Sequence, residues 1–286
     1  MGVAHSDALK PAAPSYWQRE YSPRATIPDF QKYFDGWAER AARTRRELHG
    51  RTDIAYGSDA RERLDVFRGR ESSGTIIFIH GGYWRAFSKD DFSWVANAFV
   101  KAGLTVAILS YPLIPAVHLA DISRSISKAI NFLMREILSA EERAKLVLAG
   151  HSAGAQLAAH FLASTAADAG LACRLDAIVC VSGLFDLIPV GRAGIFSGLD
   201  LLPGELYAAS PLYLPPPDHA AVLLALGAQE TREFHRQSER CADAWGERVT
   251  GLIRVPERHH FSVIDDLYDA ETVLGRQVLS FFDKAP

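Results

Sequence analysis

Five runs of β-branched and apolar residues, Thr75–Ile79, Leu104–Ser110, Lys145–Ala149, Ala177–Ser182 and Ala221–Leu226, lack polar alternation and predict strands buried on both faces. Gly251–Val255 is a further, later strand. Thr52–Tyr56 and Glu62–Phe67 differ, because Leu64 and Val66 alternate with Arg63 and Asp65; this predicts antiparallel edge strands with one exposed face. Between the strands the period changes. Ile122, Ile126, Ile130, Leu133 and Ile137 fall on one helical face, and Asp91–Ala102, Gly154–Ala166, Phe234–Arg248 and a last stretch from about Val263 to Phe282 also predict helices. Strands that alternate with helices imply right-handed crossovers and a mostly parallel central sheet flanked by helices, an α/β fold.

Two stretches depart from that rhythm. Residues 1–50 form an N-terminal extension, in which a loose Ala/Pro/Ser tail (1–15) precedes an aromatic segment (Tyr16, Trp17, Tyr21, Phe30, Tyr33, Phe34, Trp37) and a charged helical run, Ala38–Leu48. We expect it to pack on or near the functional site. Within the main domain, 51–286, the interval 187–219 is rich in Gly and Pro and too long for a simple connection, so it reads as a lid-like insertion after the sixth strand.

The chain is organised around Gly150-His151-Ser152-Ala153-Gly154, which interrupts an apolar strand and opens a helix. Five such residues recur by chance, but between a strand and a helix the glycines allow a turn tight enough to lift a serine hydroxyl above the sheet. Ser152 is therefore the candidate nucleophile. The Ala153 N–H, at a helix N-terminus, is a candidate oxyanion donor. A second donor set follows Thr75–Ile79, where His80-Gly81-Gly82-Tyr83-Trp84 can turn the Gly82 and Tyr83 amides inward, with His80 as a buried brace. Tyr83, Trp84 and His151 are the candidate substrate contacts.

A serine hydroxyl needs a base, and the base needs a carboxylate to fix its tautomer. In serine-elbow folds these follow in the order acid, then histidine, after late strands. Ala221–Leu226 runs into Glu230 and Gly251–Val255 runs into His260, so these are the assigned acid and base. Asp186, at the end of the preceding strand, is the alternative acid, and His259 the alternative base. Asp218 lies at the wrong end of its strand.

At 286 residues and 48% apolar, the chain can bury one large core. A net charge of −3 with interspersed signs gives no basic stripe for nucleic acid and no membrane patch, which leaves a small-molecule substrate, with a homodimer allowed for. Cys173, Cys180 and Cys241 show no metal-ligand spacing, no H-x-x-E-H or H-E-x-x-H motif occurs, and no targeting segment is evident. We expect no metal, no cofactor and a cytoplasmic protein. A metal-dependent amidohydrolase and a non-catalytic receptor on the same fold are the rival classes; the receptor would normally lack one of the catalytic residues.

His80-Gly-Gly-Tyr-Trp84, Gly150-His-Ser-Ala-Gly-Ala155, Glu230-Thr-Arg-Glu-Phe-His-Arg-Gln-Ser238 and His259-His-Phe261 resemble the kynurenine formamidase (arylformamidase) branch of the α/β-hydrolase esterases, over roughly residues 60–282. The resemblance implies an α/β-hydrolase fold and a cofactor-free Ser-acid-His hydrolase that deformylates N-formylkynurenine. Where that family usually carries Asp, in an Asp-Ser-Pro-Glu-Phe-like context, this chain has Glu230-Thr-Arg-Glu-Phe234. A carboxylesterase of short-chain specificity, built on the same skeleton, is the alternative.

Overall fold

A computed structural model describes residues 14–70, 72–165, 175–201, 204–216 and 219–283. Cys173, Asp218 and the tail before residue 14 lie outside the described residues. Helices α1 (Pro14–Glu20), α2 (Pro23–Thr26) and α3 (Gln31–Glu47) precede strands β1 (Gly50–Ala55), β2 (Arg63–Arg68) and β3 (Thr75–Ile79). Then come α4 (Lys89–Phe92), α5 (Ala96–Lys101), β4 (Thr105–Leu109), α6 (Leu119–Phe132), β5 (Leu146–His151), α7 (Ala153–Thr165) and β6 (Ala177–Val181). The chain closes with α8 (Leu187–Arg192), α9 (Glu205–Ala208), β7 (Ala221–Gly227), α10 (Arg232–Trp245), β8 (Val249–Val255) and α11 (Val273–Leu279).

The strands form one eight-stranded sheet in the order β1-β2-β4-β3-β5-β6-β7-β8, antiparallel at β1–β2 and β2–β4 and parallel elsewhere. Because side chains alternate across a strand, β3 sends Ile77 and Ile79 to one face and Ile76 and Phe78 to the other. The first face is sealed by Ile122 and Ile126 of α6 and Leu157 and Phe161 of α7. The second is sealed by Trp37, Phe92, Phe99 and Leu274. Covering both faces is why β3–β7 are almost wholly buried and apolar.

Three expectations change. First, β2 is not an edge: it lies between β1 and β4, and Asp65 is fully buried, taking the Asp53 amide at 2.9 Å and the Lys89 ammonium at 3.1 Å. A pattern of alternating charge cannot tell solvent from a buried ion pair. Second, Asp91–Ala102 is broken at 93–95, where Ser93 Oγ bonds back to the Lys89 carbonyl at 2.9 Å. Third, the last helix is split, with α11 starting afresh from Thr272, whose hydroxyl caps the Gly275 amide at 2.9 Å. Among the described residues no helix is long and apolar enough to cross a membrane.

Candidate active site

The turn after β5 depends on residues without side chains. A Cβ at Gly150 would run into the Gly154 carbonyl, and one at Gly154 into the Ile79 carbonyl. Between them Ser152 holds a left-handed φ of 55°, a conformation costing about 1–2 kcal/mol in a non-glycine residue. The surroundings hold it there: its amide donates to Val181 O at 2.8 Å, and its carbonyl accepts from the Ala155 and Gln156 amides at 3.0 and 3.2 Å. Ala153 opens α7, so its N–H has no acceptor within the helix.

The loop after β3 lies directly against this turn. A Cβ on Gly81 would stand 2.9 Å from the His151 carbonyl and 3.1 Å from Ser152 Cβ, so only glycine permits the approach. The Gly82 carbonyl then accepts from the Arg85 and Ala86 amides at 3.0 and 3.1 Å, with φ of 106°, 52° and 58° at Gly82, Tyr83 and Trp84. Among the described residues, the Gly82 and Tyr83 amides have no acceptor. His80 is fully buried, stacked 4.4 Å from the Tyr111 ring, and its Nδ1–H donates to the Gly81 carbonyl at 2.7 Å. Burial lowers its pKa to about 3, so it stays neutral.

The remaining side chains arrive from β7 and β8. The end of β7 at Gly227 approaches the Arg258 carbonyl too closely for a Cβ, and this contact brings Glu230 beside residue 260. Glu230 Oε2 accepts from His260 Nδ1 at 2.8 Å, while Oε1 accepts from Ser182 Oγ at 2.6 Å and the Gly227 amide at 2.7 Å. Phe234 lies 4.5 Å from the imidazole of His260, ring to ring. Behind it, His151 Nε2 donates to the His260 carbonyl at 2.9 Å; burial, then the neighbouring His260, hold the His151 pKa well below its ordinary value.

The alternatives are committed elsewhere. Asp186 caps α8 through Ile188 N and pairs with Arg240 at 2.8 Å. His259 Nε2 meets the Tyr33 hydroxyl at 2.9 Å, and its Nδ1 accepts from the Phe261 and Ser262 amides. Ser182 was not foreseen. Its only sequence signal is a polar residue closing an apolar strand, and its φ of 52° is held by its amide, which donates to the Ala225 carbonyl at 2.7 Å.

A cavity of about 330 Å³ opens over Ser152 and His260. Gly82, Tyr83 and His151 line it, as do Phe34, Trp37, Phe87 and Phe261. Trp84 does not, contrary to expectation: it is fully buried, its indole N–H donates to Gln156 Oε1 at 3.0 Å, and its ring packs 5.3 Å from Phe196. The left-handed turn at residues 83 and 84 accompanies this separation, since Tyr83 reaches the cavity and Trp84 the core.

Part of the wall comes from the N-terminal segment. Tyr21 lines the cavity, its hydroxyl donating to Glu233 Oε2 at 2.7 Å and accepting from Gln237 Nε2 at 2.8 Å. The Tyr83 hydroxyl donates to the Tyr21 carbonyl at 2.6 Å, and the Thr231 hydroxyl to that of Glu20 at 2.6 Å. Gln237 also takes the Phe185 and Asp186 amides, each at 2.7 Å. The Glu-Phe…Gln-Ser stretch of α10 thus anchors that segment, while its Phe234 packs on His260. From the 187–219 interval, Ile195 reaches the cavity. Among the described residues no group of three or more His, Cys, Asp or Glu side chains is gathered as metal ligands are.

Comparison with known proteins places this geometry. A family model described as BD-FAE matches residues 64–192. Esterase LipW from Mycobacterium marinum superposes with a TM-score of 0.69 at 17% identity, covering 96% of this chain and 93% of its own. A Silicibacter sp. TM1040 structure, provisionally described as a thioesterase, superposes with a TM-score of 0.83 at 31% identity, covering 90% of this chain and 97% of its own. Fold and site therefore define a hydrolase of the α/β-hydrolase fold. Kynurenine formamidases of Salmo salar and Danio rerio are 26% and 28% identical, each over 96% of this chain and 95% and 94% of their own. The chain resembles them along nearly its whole length and is a kynurenine formamidase-like α/β-hydrolase.

Proposed function

We propose that the protein hydrolyses N-formylkynurenine to kynurenine and formate through a formyl-enzyme on Ser152. The observation that carries this reading is the His260–Glu230 hydrogen bond of 2.8 Å, formed beside a cavity that His260 shares with Ser152 and several aromatic side chains. Ser152 Oγ attacks the formyl carbon while its proton passes to Nε2 of His260. The N–H groups of Gly82, Tyr83 and Ala153 receive the oxyanion. The C–N bond then breaks, His260 returns the proton to the leaving nitrogen, and kynurenine departs as the amine. Water next attacks the formyl ester, giving its proton to His260, and Ser152 leaves reprotonated as formate is released. Glu230 holds the Nδ1–H tautomer, while Ser182 and the Gly227 amide fix its other oxygen.

A short-chain carboxylesterase is the second reading, favoured by the esterase among the structural neighbours. Rates on N-formylkynurenine and on aryl esters of increasing acyl length separate the two. A cavity of about 330 Å³ should favour formyl and acetyl, with discrimination of roughly 10–200-fold per methylene that it cannot house. Best activity on butyryl or hexanoyl esters, with the formamide untouched, would exclude the formamidase reading. The proposal carries a cytoplasmic setting and allows for a homodimer, to be checked by fractionation and by light scattering.

A further inference from the structure

The cavity is charge-biased in a way that the ester- or amide-cleaving machinery does not require. Although the chain carries a net charge of −3, the cavity lining includes two arginines, Arg24 and Arg85, and no aspartate or glutamate. The two cations differ. Arg85 spends Nε on the Ile195 carbonyl at 2.9 Å and Nη2 on the Ser197 carbonyl at 2.7 Å, tying the oxyanion loop to the 187–219 interval. Arg24, exposed on α2, makes no ion pair or hydrogen bond among the described residues, and the nearby Asp29 is taken by Lys32. Its guanidinium lies over the rings of Phe30 and Phe34, 5.5 and 5.1 Å from their centroids. Ring contact occupies the faces of a guanidinium and leaves its edge donors for a planar acceptor.

We infer that Arg24 is a specificity-determining residue, which selects substrates whose aromatic leaving group carries a carboxylate by pairing with that carboxylate at the cavity mouth. The inference rests on the proposed function for the position of the scissile bond, and it adds the chemistry of the far end of the substrate. Bidentate contact between guanidinium and carboxylate is strong and directional, so binding energy spent there also orients the acyl group toward Ser152.

The test compares kcat/KM for N-formylkynurenine and its α-carboxamide, and in parallel for aryl acetates with and without a remote carboxylate. Wild type should favour each carboxylate by ~10- to 100-fold, the worth of one charged hydrogen-bonded contact. Arg24→Gln should erase that preference through KM and leave the neutral substrates within about threefold, Arg24→Lys should restore part of it, and Arg24→Glu should disfavour carboxylates. If Arg24→Gln does not fold, Arg24→Lys carries the test by lowering the preference while sparing the neutral substrates. A wild type indifferent to the carboxylate, or a variant that loses both substrates equally, overturns the inference. Formamides left uncleaved while the acetates keep the preference would instead remove the formamidase reading and leave Arg24 in its role.

Discussion

The cavity has two halves of different origin. One is made by loops at the C-terminal edge of the sheet, where backbone contacts at Gly81, Gly150, Gly154 and Gly227 leave no room for a Cβ. The other is made by residues 21–37, which reach the site through side chains, with Tyr21 gripped by Glu233 and Gln237 and Phe34 packed 5.1 Å from Phe261. On the proposed reading, the half set by backbone contacts carries the chemistry, and the half set by side chains carries the choice of substrate. The two halves should therefore fail differently when damaged.

The largest effect belongs to the first half. Ser152→Ala and His260→Ala should each lower turnover by ~10³-fold or more in a folded protein, and Glu230→Gln by ~10²–10⁴-fold. Near wild-type rates in Ser152→Ala would end the mechanism. The same half should carry acid sensitivity. His80 titrates at about 3 when folded against an ordinary 6.5, and His151 is shifted the same way, so below pH 6.5 the unfolded chain binds more protons and stability falls as pH drops. Between pH 6.5 and about 5, His80 alone should account for about 2 kcal/mol at 1.36 kcal/mol per unit. Urea unfolding should show a shallower pH slope in His80→Gln; an unchanged slope would remove this account. The second half should respond more mildly. Tyr21→Phe takes one donor from Glu233, which keeps Arg236 at 2.7 Å, and leaves one Gln237 Nε2 hydrogen unpaired, costing about 1–3 kcal/mol of stability and raising KM, while labelling of Ser152 by a phosphonate stays at the wild-type rate. Loss of labelling in that variant would show that the halves are not separable.

The division also explains what could be read from the sequence. Steric necessity leaves local signals: the elbow and the glycines after β3 show in spacing, and Glu230 and His260, each following a late strand, meet at 2.8 Å. The sheet was legible because burial on both faces excludes polar residues from its strands. Tertiary partnership leaves no such signal. Nothing local in Asp65 distinguishes a buried ion pair from a solvated position, nothing in Trp84 says that it turns under the loop, and Ser182 acquires meaning only beside Glu230. The packing of Tyr21 on α10 joins residues 212 and 216 positions from it, a separation that no periodicity spans.

That separation has a consequence for how the enzyme comes into being. During synthesis the aromatic wall leaves the ribosome early, and its anchors Glu233 and Gln237 emerge more than 200 residues later. Closing so long a loop is entropically costly and slow relative to local pairing. The substrate chamber is thus completed at the end of folding, after the sheet it covers, so in refolding the secondary-structure signal should recover before activity does.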